Sequence, residues 1–274
     1  FDNYEERNVF DIDKTEIYYI NLDRSKFRRK EFEKQARKHN LKVKRIEAID
    51  AKNIDIDDPM YNRYLFNKNS NVRASQSRDM RSHFKSKKSS MGHFGCYLSQ
   101  LRAIKEFLKT DKEFLIVCED DARFVDNFKQ QLIERTKNIP NDWDIILLGF
   151  IMLPHQWPAM HKHNLGKRLN CMDTPPPAVI NKCKDGYMEV KSWCGGYGLV
   201  YTRKAAELVL RELIPMDWYF DWNLGFLAID NKIKVYGLVP PIIVTPGDWK
   251  IENDMVKYEY SYAYDNNWVT TTNV

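Results

Sequence analysis

Short apolar runs rich in β-branched and aromatic residues recur along the chain, each closed by polar residues or glycine. The runs at 16–20, 42–46, 114–118, 143–149 and 195–201, with later ones at 234–238 and 242–244, have the length and composition of buried strands. Between them, apolar positions recur at helical spacing over 26–39, 126–138 and 204–213; residues 91–96 lead into another helix that runs to about 108, with Gly95 to Ser99 read as the turn before it, and a further short helix opens within 217–222. Ser25 is placed to cap the first helix, with Phe27 and Phe32 on its inner face. A strand–helix–strand opening followed by more alternating elements predicts a doubly wound α/β sheet. No internal repeat interrupts the order. The simplest organisation is one α/β domain over 15–250, preceded by a polar arm (1–14) and followed by a polar, aromatic tail (251–274).

Two stretches break the pattern. Residues 52–90 begin acidic and then carry Arg73, Arg78, Arg81, Lys85, Lys87 and Lys88 among serines and asparagines. They read as a solvated insertion or as a basic lid over an anionic ligand. Residues 151–191, with Pro175, Pro176 and Pro177, form a second irregular insertion.

Composition narrows the classes. The 274 residues are 43% hydrophobic, enough for a sizeable core, and 30% charged. No apolar run approaches the roughly 18 to 20 residues that span a bilayer. A net charge of +5 suits an anionic small ligand. Basic and aromatic residues are not interleaved as a nucleic-acid stacking platform requires, so that class is set aside. The five cysteines lack CxxC spacing. Cys96 and Cys118 read as buried thiols, Cys171, Cys183 and Cys194 leave room for one disulfide, and zinc is poorly supported. The absence of any Asn-x-Ser/Thr acceptor leans towards a cytoplasmic rather than a secretory setting. The chain opens on Phe1, as a piece of a longer protein would.

The richest chemistry lies where the third strand ends. Phe114 to Cys118 run straight into Glu119, Asp120 and Asp121, three carboxylates that repel one another and resist burial unless a cation sits among them. Carboxylates at the C-terminal end of a central strand lie where open α/β sheets bind ligands. Glu119 and Asp121 are therefore candidate ligands of Mn2+ or Mg2+, with Asp120 turned towards a sugar hydroxyl. At the end of the first strand, Asn21 and Asp23 offer hydrogen bonds to base or ribose, and Arg24, Arg28 and Arg29 offer forks for phosphate. Asp217 and Asp221, four residues apart among Trp218, Tyr219 and Trp222, share one face if helical. Either could serve as general base on an acceptor hydroxyl, its basicity raised by aromatic surroundings, while the rings stack on sugar. Asp217 alone could equally be a helix N-cap after Pro215.

The order of these pieces resembles glycosyltransferase family 25, the group of lipooligosaccharide glycosyltransferases and collagen hydroxylysine galactosyltransferases. Tyr19 to Arg24 with Arg28 and Arg29, then Glu47, Ala48, Ile49 and Asp50, are similar to its opening signature. Gly95 to Ser99 resembles its second block, and Glu119, Asp120 and Asp121 its metal motif. The continuation to Arg123 and Phe124 is closest to the collagen-modifying branch. Trp143 to Gly149, Gly196 to Ala205, and Asp217 with Trp218 follow in the expected order. The resemblance, over about residues 16–245, implies a GT-A-like (Rossmann-like) nucleotide-sugar transferase fold, with a single mixed central sheet flanked by helices. It implies a UDP-sugar donor (galactose or glucose), manganese, a glycan or protein hydroxyl acceptor, and inversion at the anomeric carbon. Ala48, Gly95, Ser99 and Gly196 then join the nucleotide-binding residues, and Asp248 is the nearest candidate for a third metal ligand. A homo-oligomer is left open. Where the family commonly has Ser-His, this chain has Ser99 and Gln100. That departure favours the alternative of a non-catalytic nucleotide-sugar-binding domain.

Overall fold

The computed structural model describes residues 9–65, 79–87, 90–151, 186–191, 193–216, 218–238, 241–245, 249–252 and 255–258. A seven-stranded mixed sheet forms its centre, in the order β2-β1-β3-β7-β5-β8-β6. Its members are β1 (Thr15–Asn21), β2 (Lys44–Glu47), β3 (Phe114–Glu119), β5 (Ile145–Ile151), β6 (Tyr187–Glu189), β7 (Cys194–Thr202) and β8 (Val235–Leu238). Strand β1 pairs parallel with β2 and β3, and β5 pairs parallel with β8. β7 runs antiparallel between β3 and β5, and β6 runs antiparallel on β8. A two-stranded ribbon pairs β4 (Arg123–Phe124) with β9 (Ile243–Val244), and β10 (Trp249–Glu252) pairs antiparallel with β11 (Met255–Tyr258).

Helices cover both faces of this mixed α/β sheet. They are α1 (Lys26–Lys38), α2 (Met80–Ser86), α3 (Met91–Phe107), α4 (Phe128–Thr136), α5 (Arg203–Glu212) and α6 (Phe220–Ile229). The period-2 alternation of β3 divides the core. Leu115 and Val117 pack with Phe94, Tyr97 and Leu101 of α3 on one face. Phe114, Ile116 and Cys118 pack with Phe32 of α1 and Leu132 of α4 on the other. Among the described residues no helix is long and apolar enough to cross a membrane.

Several expectations need correction. Phe27 is 74% exposed, whereas Phe32 is fully buried and stacks on Tyr19 at 4.5 Å. Ser25 precedes α1 but makes no side-chain capping bond. Residues 95–99 belong to the body of α3, which starts earlier, at Met91, and do not form a turn. Part of the 52–90 stretch is ordered into two 3-10 turns (Ala51–Asn53 and Pro59–Tyr64) and α2. Helix α2 forms because Asp79 accepts from the Ser82 N–H while Met80 and Phe84, one turn apart, insert into the core. Its basic residues are matched locally: Lys85 lies 2.5 Å and Arg81 3.6 Å from Asp57. Arg73, Arg78 and Lys88 lie outside the described residues. The far end of the 151–191 stretch contributes edge strand β6, and Phe10 near the chain start contacts Phe114 ring to ring at 5.7 Å.

Burial predicts opposite outcomes for the two phenylalanines of α1. Phe32→Ala should destabilise by about 3–5 kcal/mol. Phe27→Ala should stay within about 0.5 kcal/mol of wild type. Urea denaturation of both variants measures the difference.

Candidate active site

From β1 the chain crosses through α1 to β2 on one side, then returns through α3 to β3 on the other. The carboxyl ends of β1 and β3 therefore flank a topological switch point, where an open α/β sheet leaves a crevice. A pocket lies there. Ile20 and Leu22 form one wall and Ala48 and Ile49 a second. Cys96 and Gln100 of α3 supply the third, and Glu119 and Asp120 the acidic side. Arg24 and Asp50, paired as a salt bridge, also line it.

Helix α3 is held against this pocket by two devices. A Cβ on Gly95 would sit 2.7 Å from the Ile49 carbonyl oxygen, so only glycine permits the close approach. The Ser99 hydroxyl donates to the Gly95 carbonyl (2.6 Å) and accepts from the Ile49 N–H (2.8 Å). These contacts fix residues 48–51 as a rigid wall.

The acidic triplet is organised by a buried knot. Asn21 Nδ2 donates to Asp120 Oδ2 at 2.7 Å and to the Ser25 carbonyl at 3.1 Å. Asn21 Oδ1 accepts from Arg29 Nε (3.2 Å) and Arg45 Nε (3.1 Å). Arg28 Nη1 donates to Asp120 Oδ1 at 3.1 Å and reaches Asp121 Oδ2 at 3.5 Å. Asp121 Oδ1 is buried and has no partner among the described residues. On the α3 side, burial and the repulsion of Asp121, Asp120 and Asp221 push Glu119 up to about 8 against the pull of Arg28. Burial likewise raises Asp121, opposed chiefly by Arg28. Asp221, at the start of α6, is raised by burial while backbone N–H groups of Gly195 (2.8 Å) and Trp222 (2.9 Å) hold its carboxylate. Gly195 has φ 81°, a left-handed conformation that suits glycine. The Cys96 thiol is raised by burial and by the field of Glu119, Asp221 and Asp121.

The structure thus brings Glu119, Asp120, Asp121 and Asp221 together with Asn21 and Arg28, and sets Arg24, Ala48 and Ser99 on the pocket. Other expectations are redirected. Asp120 lines the pocket with one oxygen accepting from Asn21 and the other from Arg28. Asn21 uses both donors and its acceptor internally, which leaves none for a base or ribose. Arg28 serves as counter-ion to the triplet rather than as a phosphate fork. Asp23, 73% exposed, pairs with Arg29 and Arg45 and does not line the pocket. Gly95 acts through packing, and Gly196 is buried within β7, off the pocket. Helix α6 begins at Phe220, so it carries Asp221 alone. Asp217 and Asp248 lie outside the described residues, as do Cys171 and Cys183. Sequence reasoning missed Cys96, Gln100 and Arg45. The i, i+4 spacing of Cys96 and Gln100 on α3 was a signal for the first two, and the position of Arg45 beside the β1 terminus gave none.

The donor set fits a hard divalent cation. Glu119 and Asp121 offer oxygen donors short of positive charge, and Asp121 Oδ1 is an orphaned buried acceptor. Among the described residues no three His, Cys, Asp or Glu side chains form a ready-made ligand cluster. Such a cation would therefore complete its shell with diphosphate oxygens and water, as magnesium usually does.

The raised Glu119 sets a pH dependence. The folded chain holds a proton up to about pH 8 that the unfolded chain releases near its ordinary value of 4.5. Stability therefore falls as pH rises through that window. Glu119→Gln, which cannot ionise, should melt increasingly above wild type between pH 5 and about pH 8 in metal-free buffer. Melting curves across that range check the sign.

A profile for Glycosyltransferase family 25 (LPS biosynthesis protein) matches residues 14–223, more than half of the chain. Procollagen galactosyltransferase 2 of Homo sapiens is 31% identical over 137 residues, 49% of this chain and 20% of that protein. Procollagen galactosyltransferase 1-B of Xenopus laevis is 30% identical over 133 residues, 46% of this chain and 19% of that protein. The matched segment spans about a fifth of the length of these curated relatives. Among solved structures, A197 from STIV aligns over 89% of this chain and 93% of its own, with 9% identity and a TM-score of 0.40. Mouse xyloside xylosyltransferase 1 in its apo form aligns over 81% and 70%, with 11% identity and a TM-score of 0.32. Scores this low carry no argument. The family match does, and the chain belongs to glycosyltransferase family 25.

Proposed function

We propose that this chain catalyses metal-dependent, inverting transfer of a hexose, galactose or glucose, from a UDP-sugar to a hydroxyl of a glycan or a hydroxylysine-type protein acceptor. One observation carries the reading: under-compensated carboxylates with an orphaned oxygen stand beside a pocket at the switch point of the sheet. Family membership and the similarity to procollagen galactosyltransferases support it.

Glu119 and Asp121 would hold Mn2+ or Mg2+, which when bound supplies neutralising charge for the diphosphate leaving group. Arg28 and Asn21 keep the triplet in register by fixing Asp120. The apolar walls and the Arg24–Asp50 pair receive the nucleotide. Asp217 or Asp221 takes the proton of the acceptor hydroxyl as its oxygen attacks the anomeric carbon and the bond to UDP breaks. The burial that raises Asp221 increases its basicity, while its two backbone hydrogen bonds hold its orientation. Trp218 and Tyr219 precede it in the chain, their rings 5.2 Å apart. Tyr219 stacks on His93 at 4.0 Å, and its hydroxyl lies 3.1 Å from His83 Nε2, giving an aromatic corner suited to a sugar face.

A non-catalytic nucleotide-sugar-binding domain is the second reading, favoured by Gln100 at a site position. UDP release from UDP-galactose and UDP-glucose, with and without manganese, separates the two. The transferase should release UDP only with the metal. Asp121→Asn should lower that rate by about 100-fold or more. Whichever of Asp217→Asn and Asp221→Asn removes the base should lower kcat by about 100- to 10,000-fold. UDP binding in calorimetry with no turnover of any UDP-sugar would establish the binding-domain reading instead.

A further inference from the structure

Gln100 is the one pocket-lining side chain on α3 whose polar chemistry is left open inside the protein. The residue is 1% exposed, and its Oε1 is buried without a hydrogen-bond partner. Its neighbour Ser99 shows the contrast, with its hydroxyl engaged by both Gly95 and Ile49. A buried amide acceptor left unpaired destabilises a fold, so its persistence calls for a partner that arrives from outside.

The position says which part of a ligand that is. Gly92, Cys96 and Gln100 face the pocket from successive turns of α3. Cys96 lies in the field of Glu119 and Asp121, the diphosphate end of the proposed site. Gln100 lies about 6 Å further along the helix axis, roughly the reach of a ribose. Ile20, Leu22, Ala48 and Ile49 line the same pocket and give it apolar walls that suit a planar ring. An amide carries an acceptor and a donor side by side. The imide edge of uracil carries the complement, an N3–H next to a carbonyl oxygen. Paired amide contacts of this kind discriminate between bases.

We propose that Gln100 reads the pyrimidine base of the donor nucleotide, accepting the uracil N3–H through Oε1 and donating from Nε2 to the adjacent carbonyl. The inference rests on the UDP-sugar reading above and assigns that site its base-recognition residue.

The test is a cycle of two ligands and two proteins, with UDP and its N3-methyl analogue titrated calorimetrically into wild type and Gln100→Met in the presence of manganese. N3-methylation should weaken binding to wild type by about 10- to 100-fold. Gln100→Met should weaken UDP binding to a similar extent and bind the two nucleotides alike. Because methionine fills the same space without an unpaired acceptor, this variant should melt at or above the wild-type temperature. Equal affinity of wild type for UDP and the methylated analogue would overturn the inference, and this arm stands even if the variant does not fold. Wild-type UDP affinity in Gln100→Met, an unchanged methyl penalty there, or a variant that melts well below wild type would also overturn it. If wild type binds no uridine nucleotide at all, the donor reading itself fails, and the base assignment with it.

Discussion

Three consecutive carboxylates at the inner end of a buried strand would drive the sheet apart without compensation, since each loses hydration and repels the other two. The compensation comes from the neighbouring parallel strand and its helix. Asn21 closes β1 and Arg28 lies one turn into α1, and both converge on Asp120. Asn21 is held in turn by Arg29 and Arg45, so β1, α1, β2 and β3 meet at a single buried amide. The register Ile20↔Glu119 places those partners side by side. A slip of β3 by one residue would turn its alternating side chains to the wrong faces and separate the triplet from its amide.

The knot compensates the acids unequally, and this inequality gives the site its chemistry. Asp120 has both oxygens satisfied and is structural. Glu119 and Asp121 share what remains of the positive field of Arg28, and both are pushed above the usual carboxylate range. Asp221 on α6 adds its field to Glu119 while tethered to the backbone of Gly195. Glu119 and Asp121 are therefore left short of a counter-charge, because Arg28 is engaged more closely by Asp120 than by Asp121.

The strands were legible because apolar, β-branched runs carry the period and length of buried strands, and the acidic end of β3 was legible because nothing in a strand explains it. Individual roles were less so. Asn21, Asp23 and Arg28 carry groups that bind nucleotides, yet the same groups bind one another when strands β1 and β3 become neighbours, and no local pattern distinguishes the two uses. Phe27 and Phe32 are five residues apart, about 140° round the helix, so they cannot share one inner face, and α1 docks with Phe32 inward. Helix α2 was hidden because six basic residues in its neighbourhood outweighed the i, i+4 pair Met80 and Phe84. Cys96 and Gln100 were obscured by the assumption that residues 95–99 turn, which a helix beginning at Met91 overrides.

Helix α3 carries that last point further, because it couples parts of the site that the sheet alone would leave independent. Gly95 and Ser99 fasten its middle to residues 48–51, one wall of the pocket. Cys96 and Gln100 line the pocket between that wall and the acids. On its first turn His93 stacks on Tyr219, which also contacts His83 of α2 and thereby ties the basic insertion to the start of α6. Burial and the neighbouring His83 and Lys87 push His93 down to about 4, so it stays neutral in this stack at physiological pH. One helix thus holds the pocket, the acidic centre and the aromatic corner at fixed separations. The proposed transfer would depend on that constraint, because two reacting groups held in a fixed relative geometry avoid the entropy cost of finding one another.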